Sequence, residues 1–144
     1  MQTKVALVAD CHVGNHKQHA GPLVGGINSR CAMVLETLTH ARREAHVAGA
    51  EVFVVLGDLL DHHNTSPQVL AHTIRALTPE LSDSQKHMQI VLLTGNHEQN
   101  SEGKGDHSLA PLAYVKGFTV VDEPTLMPLS SSCALFLVPF SREQ

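Results

Sequence analysis

Three short clusters in this 144-residue chain combine residue types able to hold cations: Asp10-Cys11-His12, Gly57-Asp58-Leu59-Leu60-Asp61 and Gly95-Asn96-His97-Glu98. Carboxylate and amide oxygens mixed with imidazole nitrogens make a donor set suited to Mn, Fe or Zn rather than to soft-metal thiolate sites. In Asp10-x-His12, alternation along an extended chain would point both side chains the same way, so that an oxygen and a nitrogen grip one ion. Asp58 follows a glycine, where the backbone can turn sharply and a carboxylate can bridge two cations. Gly95 permits the turn that presents the Asn96 amide oxygen and His97. Each cluster alone is weak evidence, because Asp-x-His and Gly-Asp arise by chance; their order and strand context carry the signal. The bland alternative makes Asp10 and Asp58 loop-capping carboxylates and Asn96 a left-handed turn residue.

Each cluster closes a short apolar run. Val5 to Ala9, Val52 to Leu56 and Ile90 to Leu93 read as buried strands. From Ser29 the pattern takes a helical period, with Val34, Leu38, Ala41, Ala45 and Ala48 on one stripe and Arg42, Arg43 and Glu44 mainly off it; Gly49 ends that helix. Ser66 as N-cap and Pro67 in the first turn start a second helix, whose apolar face is Val69, Leu70, Ile74 and Leu77. The segments Gly14 to Ile27 and that through Gly103 and Gly105 read as loops. A short helix is expected near Leu109 to Val115, and strands at Phe118 to Val121 and Ala134 to Val138. Strand, helix, strand, helix, strand is the signature of an α/β fold made of parallel βαβαβ units, in which loops after the strands share one sheet edge. That edge would gather Asp10, His12, Asp58, Asn96 and His97.

The order D-x-H, G-D-x-x-D, G-N-H-E resembles the calcineurin-like metallophosphoesterases over nearly the whole chain. Ala9 to Gly14, Gly57 to Asp61 followed by Ser66-Pro67, and Thr94 to His97 look most like the SbcD and Mre11 DNA nuclease branch. The resemblance implies an α/β/β/α sandwich, of which these residues would form the N-terminal part, and a phosphodiesterase or nuclease activity. It makes Asp10 and His12 ligands of one metal, Asp58 the bridge, Asn96 a ligand of the second metal, and His97 the catalytic histidine that is not itself a ligand. Two divalent cations, expected to be Mn with Fe and Zn as alternatives, would share a bridging hydroxide and hold the phosphate. His97 would protonate the leaving oxygen or orient the phosphate. DNA as substrate, an SMC-like ATPase partner and a homodimer are further expectations from the same likeness.

The match stops short of a downstream Gly-His-x-His motif that completes the family's site. The second metal is therefore expected to be incomplete, with Asp58 and Asn96 alone from matched motifs. The reading of Ala134 to Val138 as a core strand leads to the expectation that residues 1–144 are a single, C-terminally truncated metallophosphoesterase domain. Asp61 and Glu98 are candidates for fixing a loop or orienting a ligand, and Arg30, His16 and His62 for touching substrate. His19 and His63 stand in the same loops; His40, His46, His72 and His87 read as surface residues. Rival functions are a phosphoprotein phosphatase, which also carries Gly-Asn-His-Glu but has Asp-Arg-Gly where this chain has Asp61-His62-His63, and a degenerate, non-catalytic scaffold.

Composition sets outer limits. Hydrophobic content of 42% with 17% charged residues suits one globular domain, and no run is long enough to span a membrane. The N-terminal apolar stretch is too short for a signal-peptide core, which gives a cytoplasmic expectation. A net charge of -4 argues against holding nucleic acid by bulk positive field, while leaving metal-dependent chemistry on a phosphodiester open. Cys11, Cys31 and Cys133 are widely spaced and read as reduced thiols in small buried positions.

Overall fold

The computed structural model describes residues 3–18, 20–78, 88–100 and 106–141. Strand β1 (Val5–Val8), helix α1 (Ser29–Val47), strand β2 (Val52–Val55), helix α2 (Pro67–Leu77) and strand β3 (Gln89–Leu93) alternate as the apolar runs predict. A 3-10 turn (Ala110–Tyr114) leads to β4 (Phe118–Val121), and β1, β2, β3 and β4 pair in that order, all parallel. The central strands β2 and β3 run Val-rich because both faces are covered, whereas β1, expected as a buried strand, is a partly buried edge strand with Leu7 58% exposed. Phe53, Val55, Ile90 and Leu92 meet the helices, while Val52, Val54, Val91 and Leu93 belong to a second cluster on the opposite face.

The helix ends follow local chemistry. Asn28, with extended backbone, accepts the Cys31 N–H through Oδ1 at 2.9 Å and so caps α1, one residue before the helix read from the sequence. Gly49, at φ 79°, carries the chain out of it. Ser66 caps α2 through Val69 N–H, with Pro67 in the first turn. The buried stripe of α1 is rotated from the expected one: Cys31, Leu35, Leu38 and Arg42 are buried, with Val34, Ala41 and Ala45 packed at its margin. Arg42, expected mainly off the apolar stripe, is only 4% exposed because its Nε donates to the Ala76 carbonyl at 3.0 Å, joining α1 to α2.

The C-terminal strand differs from expectation. Cys133–Leu137 forms β6, paired antiparallel with β5 (Thr125–Ser130) in a separate hairpin, and is not a core strand of the main sheet. Met127, Leu129, Leu135 and Leu137 turn inward to cover the second face of the main sheet, while the cross-strand pair Leu126 and Phe136 faces solvent. Only one face is apolar by burial, as in a half-solvated antiparallel pair. Ala134 to Val138, expected as a core strand, thus belongs largely to a half-exposed hairpin strand. Cys133 is exposed, contrary to the buried thiol expected, since β6 is so thinly covered; Cys31 is buried and all three thiols are free. No helix among the described residues is long and apolar enough to cross a membrane.

Candidate metal centre

The loops after β1, β2 and β3 meet at the carboxyl edge of the sheet and are stitched together by backbone bonds. Asp10 N–H donates to Gly57 O at 3.3 Å, His12 N–H to Asp58 O at 2.9 Å, and Val13 N–H to Leu59 O at 2.8 Å. The first loop therefore runs alongside the second beyond the strands themselves. Asp10, His12 and Asp58 have left-handed backbones, at φ 53°, 48° and 50°. The Asp10 and His12 side chains are thus aimed by turned backbone, not by the alternation of an extended chain expected from the sequence. Non-glycine residues pay about 1–2 kcal/mol for this conformation, and among the described residues these are the ones that adopt it. Strain concentrated at one cluster of polar residues marks a place where geometry is held against local preference.

Glu98 does much of the holding. It is fully buried, and its carboxylate accepts three backbone N–H groups: Gly95 at 2.7 Å and Asp58 at 3.1 Å on Oε2, and Leu60 at 2.8 Å on Oε1. The bond back to Gly95, three residues earlier, is the acidic half of a capping box, used here to tie two loops. Burial pushes the Glu98 carboxyl pKa up, the N–H donors from Leu60 and Gly95 pull it down, and the nearby Asp58 charge adds to the rise. Asp58 itself is 9% exposed and accepts the His97 N–H on Oδ1 at 3.0 Å. A Cβ on Gly95 would run into the Asp58 carboxylate and backbone N, so the close approach of the two loops requires glycine there.

One ligand atom from each of His12, Asp58 and His97 lies within 4.8 Å of the others. The His12 and His97 rings meet edge to face with centroids 4.5 Å apart. His12 Nδ1 is buried without a hydrogen-bond partner, its nearest carboxylate oxygen being Asp61 Oδ1 at 3.6 Å. A buried imidazole nitrogen with no hydrogen bond, beside a carboxylate and a second imidazole, fits a divalent cation of the Mn, Fe or Zn type. The Asp10 carboxylate, though held on the same rim, is outside this close group, as is every other Asp, Glu, Cys and His among the described residues. Asn96 is exposed on the loop between Gly95 and His97.

Asp61 sits among imidazoles. Its carboxylate oxygens lie 3.1 Å from His62 Nε2, 3.5 Å from His16 Nδ1 and 3.9 Å from His97 Nδ1. Its carbonyl bonds His97 Nδ1 at 2.8 Å, which raises the His97 pKa; desolvation opposes, and the Asp58, Asp61 and Glu98 charges add to the rise. His16 also reaches the His12 carbonyl through Nε2 at 2.9 Å. Of the candidates for substrate contact, His16 and His62 thus gather at Asp61, whereas the Arg30 guanidinium reaches the Gln18 carbonyl at 3.3 Å. His19 and His87 lie outside the described residues. Cys11, between two site residues, has its pKa raised to about 11 by burial and by the Glu98 and Asp10 charges.

A family model for the calcineurin-like phosphoesterases matches residues 3–132. The chain belongs to that family. This calcineurin-like phosphoesterase has the α/β fold with parallel sheet expected of the N-terminal part of the family's sandwich. The DNA double-strand break repair protein Mre11 of Methanopyrus kandleri is 30% identical to it over 95 residues, covering 66% of this chain and 19% of that protein. The crystal structure of the Pseudomonas putida nuclease MPE aligns with 26% identity and a TM-score of 0.47, covering 87% of this chain and 50% of that one. The chain thus spans less than two-thirds of either relative. Sequence reasoning gave no sign of one neighbouring pair, His107 and Asp122, whose Nε2 and Oδ2 are 3.4 Å apart with the imidazole buried. A histidine in a glycine-rich loop carries no such signal.

Proposed function

We propose that this phosphoesterase is a metal-dependent phosphodiesterase acting on DNA. The observation that carries the reading is the convergence of His12, Asp58 and His97 side-chain atoms within 4.8 Å, on loops that also bring Asp10 and Asn96 to the same edge. The likeness to Mre11 over 95 residues supports a DNA substrate over a phosphoprotein.

In this reading His12 and Asp58, joined by Asp10 from the same rim, would hold one cation, and Asp58 with Asn96 would contribute to a second. When bound, such cations polarise the phosphate and lower the pKa of an attacking water. The protein's own part is positioning and proton transfer. Glu98 fixes Asp58 from beneath, and Asp58 in turn holds the His97 backbone. His97, with its Nδ1 held by the Asp61 carbonyl and its pKa raised by that bond, is oriented to deliver the Nε2 proton of its protonated form to the leaving oxygen. The Asp61 carboxylate, 3.9 Å away, balances the imidazolium charge.

Hydrolysis of bis-p-nitrophenyl phosphate and of p-nitrophenyl phosphate, each with and without Mn2+, tests the assignment. Mn2+-dependent turnover of the diester in preference to the monoester, lost in His97→Ala, is expected. Preference for the monoester indicates a phosphatase, and absence of Mn2+ binding by calorimetry removes the metal-centre reading altogether.

A further inference from the structure

Strand-shaped substrates need something to hold their bases as well as their phosphates. Here the electrostatic part is weak: 10 Lys and Arg stand against 14 Asp and Glu, so no bulk positive field draws in a phosphate backbone. Stacking on an aromatic face is the other general source of strand affinity, and it is tolerant of base sequence.

The chain has four Phe and one Tyr. Phe53 and Phe118 are core residues, Phe136 lies on the outer face of the hairpin, and Tyr114 is on the 3-10 turn. Phe140 is different. Its N–H donates to the Thr94 carbonyl at 3.0 Å, and its carbonyl accepts from Gln99 Nε2 at 2.6 Å. Thr94 and Gln99 bracket the Gly95-Asn96-His97-Glu98 loop, so both backbone polar groups of Phe140 are fastened to the flanks of the candidate centre. The residue is 44% exposed, and the preceding Pro139 is buried. A phenylalanine pinned by its backbone beside a polar site, with nearly half its surface left in water, is poorly explained as core packing. It costs little entropy to use as a contact, because the backbone is already fixed.

We infer that Phe140 stacks against a nucleobase of the substrate, which makes a base-bearing strand, rather than a bare phosphate ester, the class this site takes. The inference rests on the phosphodiesterase reading above. Stacking on one aromatic face changes strand affinity by about tenfold.

The test is fluorescence anisotropy with a labelled oligothymidylate and its abasic tetrahydrofuran counterpart, in buffer holding Ca2+ in place of Mn2+. The wild-type chain is expected to prefer the base-bearing strand by about tenfold. Phe140→Ala brings that ratio close to one, and Phe140→Trp preserves it. The ratio is the discriminating readout, because a variant that merely loosened the fold would weaken both strands together. An unchanged ratio in Phe140→Ala, or a wild-type ratio of one, overturns the inference. If the wild-type chain hydrolyses bis-p-nitrophenyl phosphate yet shows no base preference, this inference alone falls. If it neither hydrolyses the diester nor binds either strand, the phosphodiesterase reading falls and takes this one with it.

Discussion

Replacing Glu98 tests whether the candidate centre is held from below. In Glu98→Gln, the amide oxygen can take the place of Oε2 and keep Asp58 and Gly95 N–H satisfied, but the NH2 group then faces the Leu60 N–H. One buried donor without an acceptor costs about 1–3 kcal/mol. Burial has raised the Glu98 pKa, so removing the charge returns part of that cost, and a net loss of about 1–2 kcal/mol is expected. Glu98→Ala orphans all three donors and opens a cavity, for a loss of about 3–5 kcal/mol, set against a total of about 5–15 kcal/mol for a natural domain. Urea unfolding of the metal-free protein reads the loss, as a fall in midpoint of about 0.5–1 M for the Gln variant. Calorimetric titration with Mn2+ reads the second consequence. Leu60 anchors the same loop as Asp58, so losing its bond to Oε1 should lower affinity at least about tenfold even in the milder variant. A Glu98→Gln protein with stability within about 0.5 kcal/mol of wild type and undiminished Mn2+ affinity refutes the argument.

Gly95→Ala should be as damaging as Glu98→Ala, since its Cβ collides with the Asp58 carboxylate and backbone; soluble protein with normal Mn2+ binding would contradict the packing described. Arg42→Ala separates stability from the site: loss of the bond to the Ala76 carbonyl and of the buried stem should cost about 2–3 kcal/mol in urea unfolding, with Mn2+ affinity retained. His97 in the metal-free protein should titrate above the ordinary histidine value of 6.5, as followed by NMR of its ring protons. Its raised folded-state pKa means that protonated His97 contributes stability below the unfolded value, and that this contribution is lost as pH rises through the folded one. A stability difference between wild type and His97→Gln that does not change over that window counts against the Asp61 carbonyl as the cause.

The fold was legible wherever a single local pattern dominated. Val52 to Leu56 and Ile90 to Leu93 are continuous apolar runs, and no alternative to a doubly covered strand suits them. Ser66-Pro67 and Gly49 fix helix ends by backbone chemistry that acts within a few residues. Residues 125–130 were harder, because Pro128 interrupts a run whose inward residues, Met127 and Leu129, show their role only once β6 pairs beside them. Arg42 was misread because a guanidinium on an apolar stripe looks like a boundary until a carbonyl on another helix receives it. At the candidate site, residue types were informative and conformations were not. Asp10-x-His12 carries no mark of its left-handed backbone, which is imposed by bonds to Gly57 and Asp58 in the loop after β2. Glu98 could equally have been a turn former, since its three partners are spread over the second and third loops.

The carboxylate of Glu98 and the backbone of Asp58 are 40 positions apart along the polypeptide. A nascent chain that has released only β1, β2 and the loop after each has the bonds from Asp10 and His12 to the second loop within reach, but lacks the Glu98 carboxylate that fastens Asp58 and Leu60. The fully fastened arrangement must therefore await the docking of β3 and the loop that carries Glu98. On the proposed metal-centre reading, a cation offered earlier meets an Asp58 that nothing from the third loop yet holds in place.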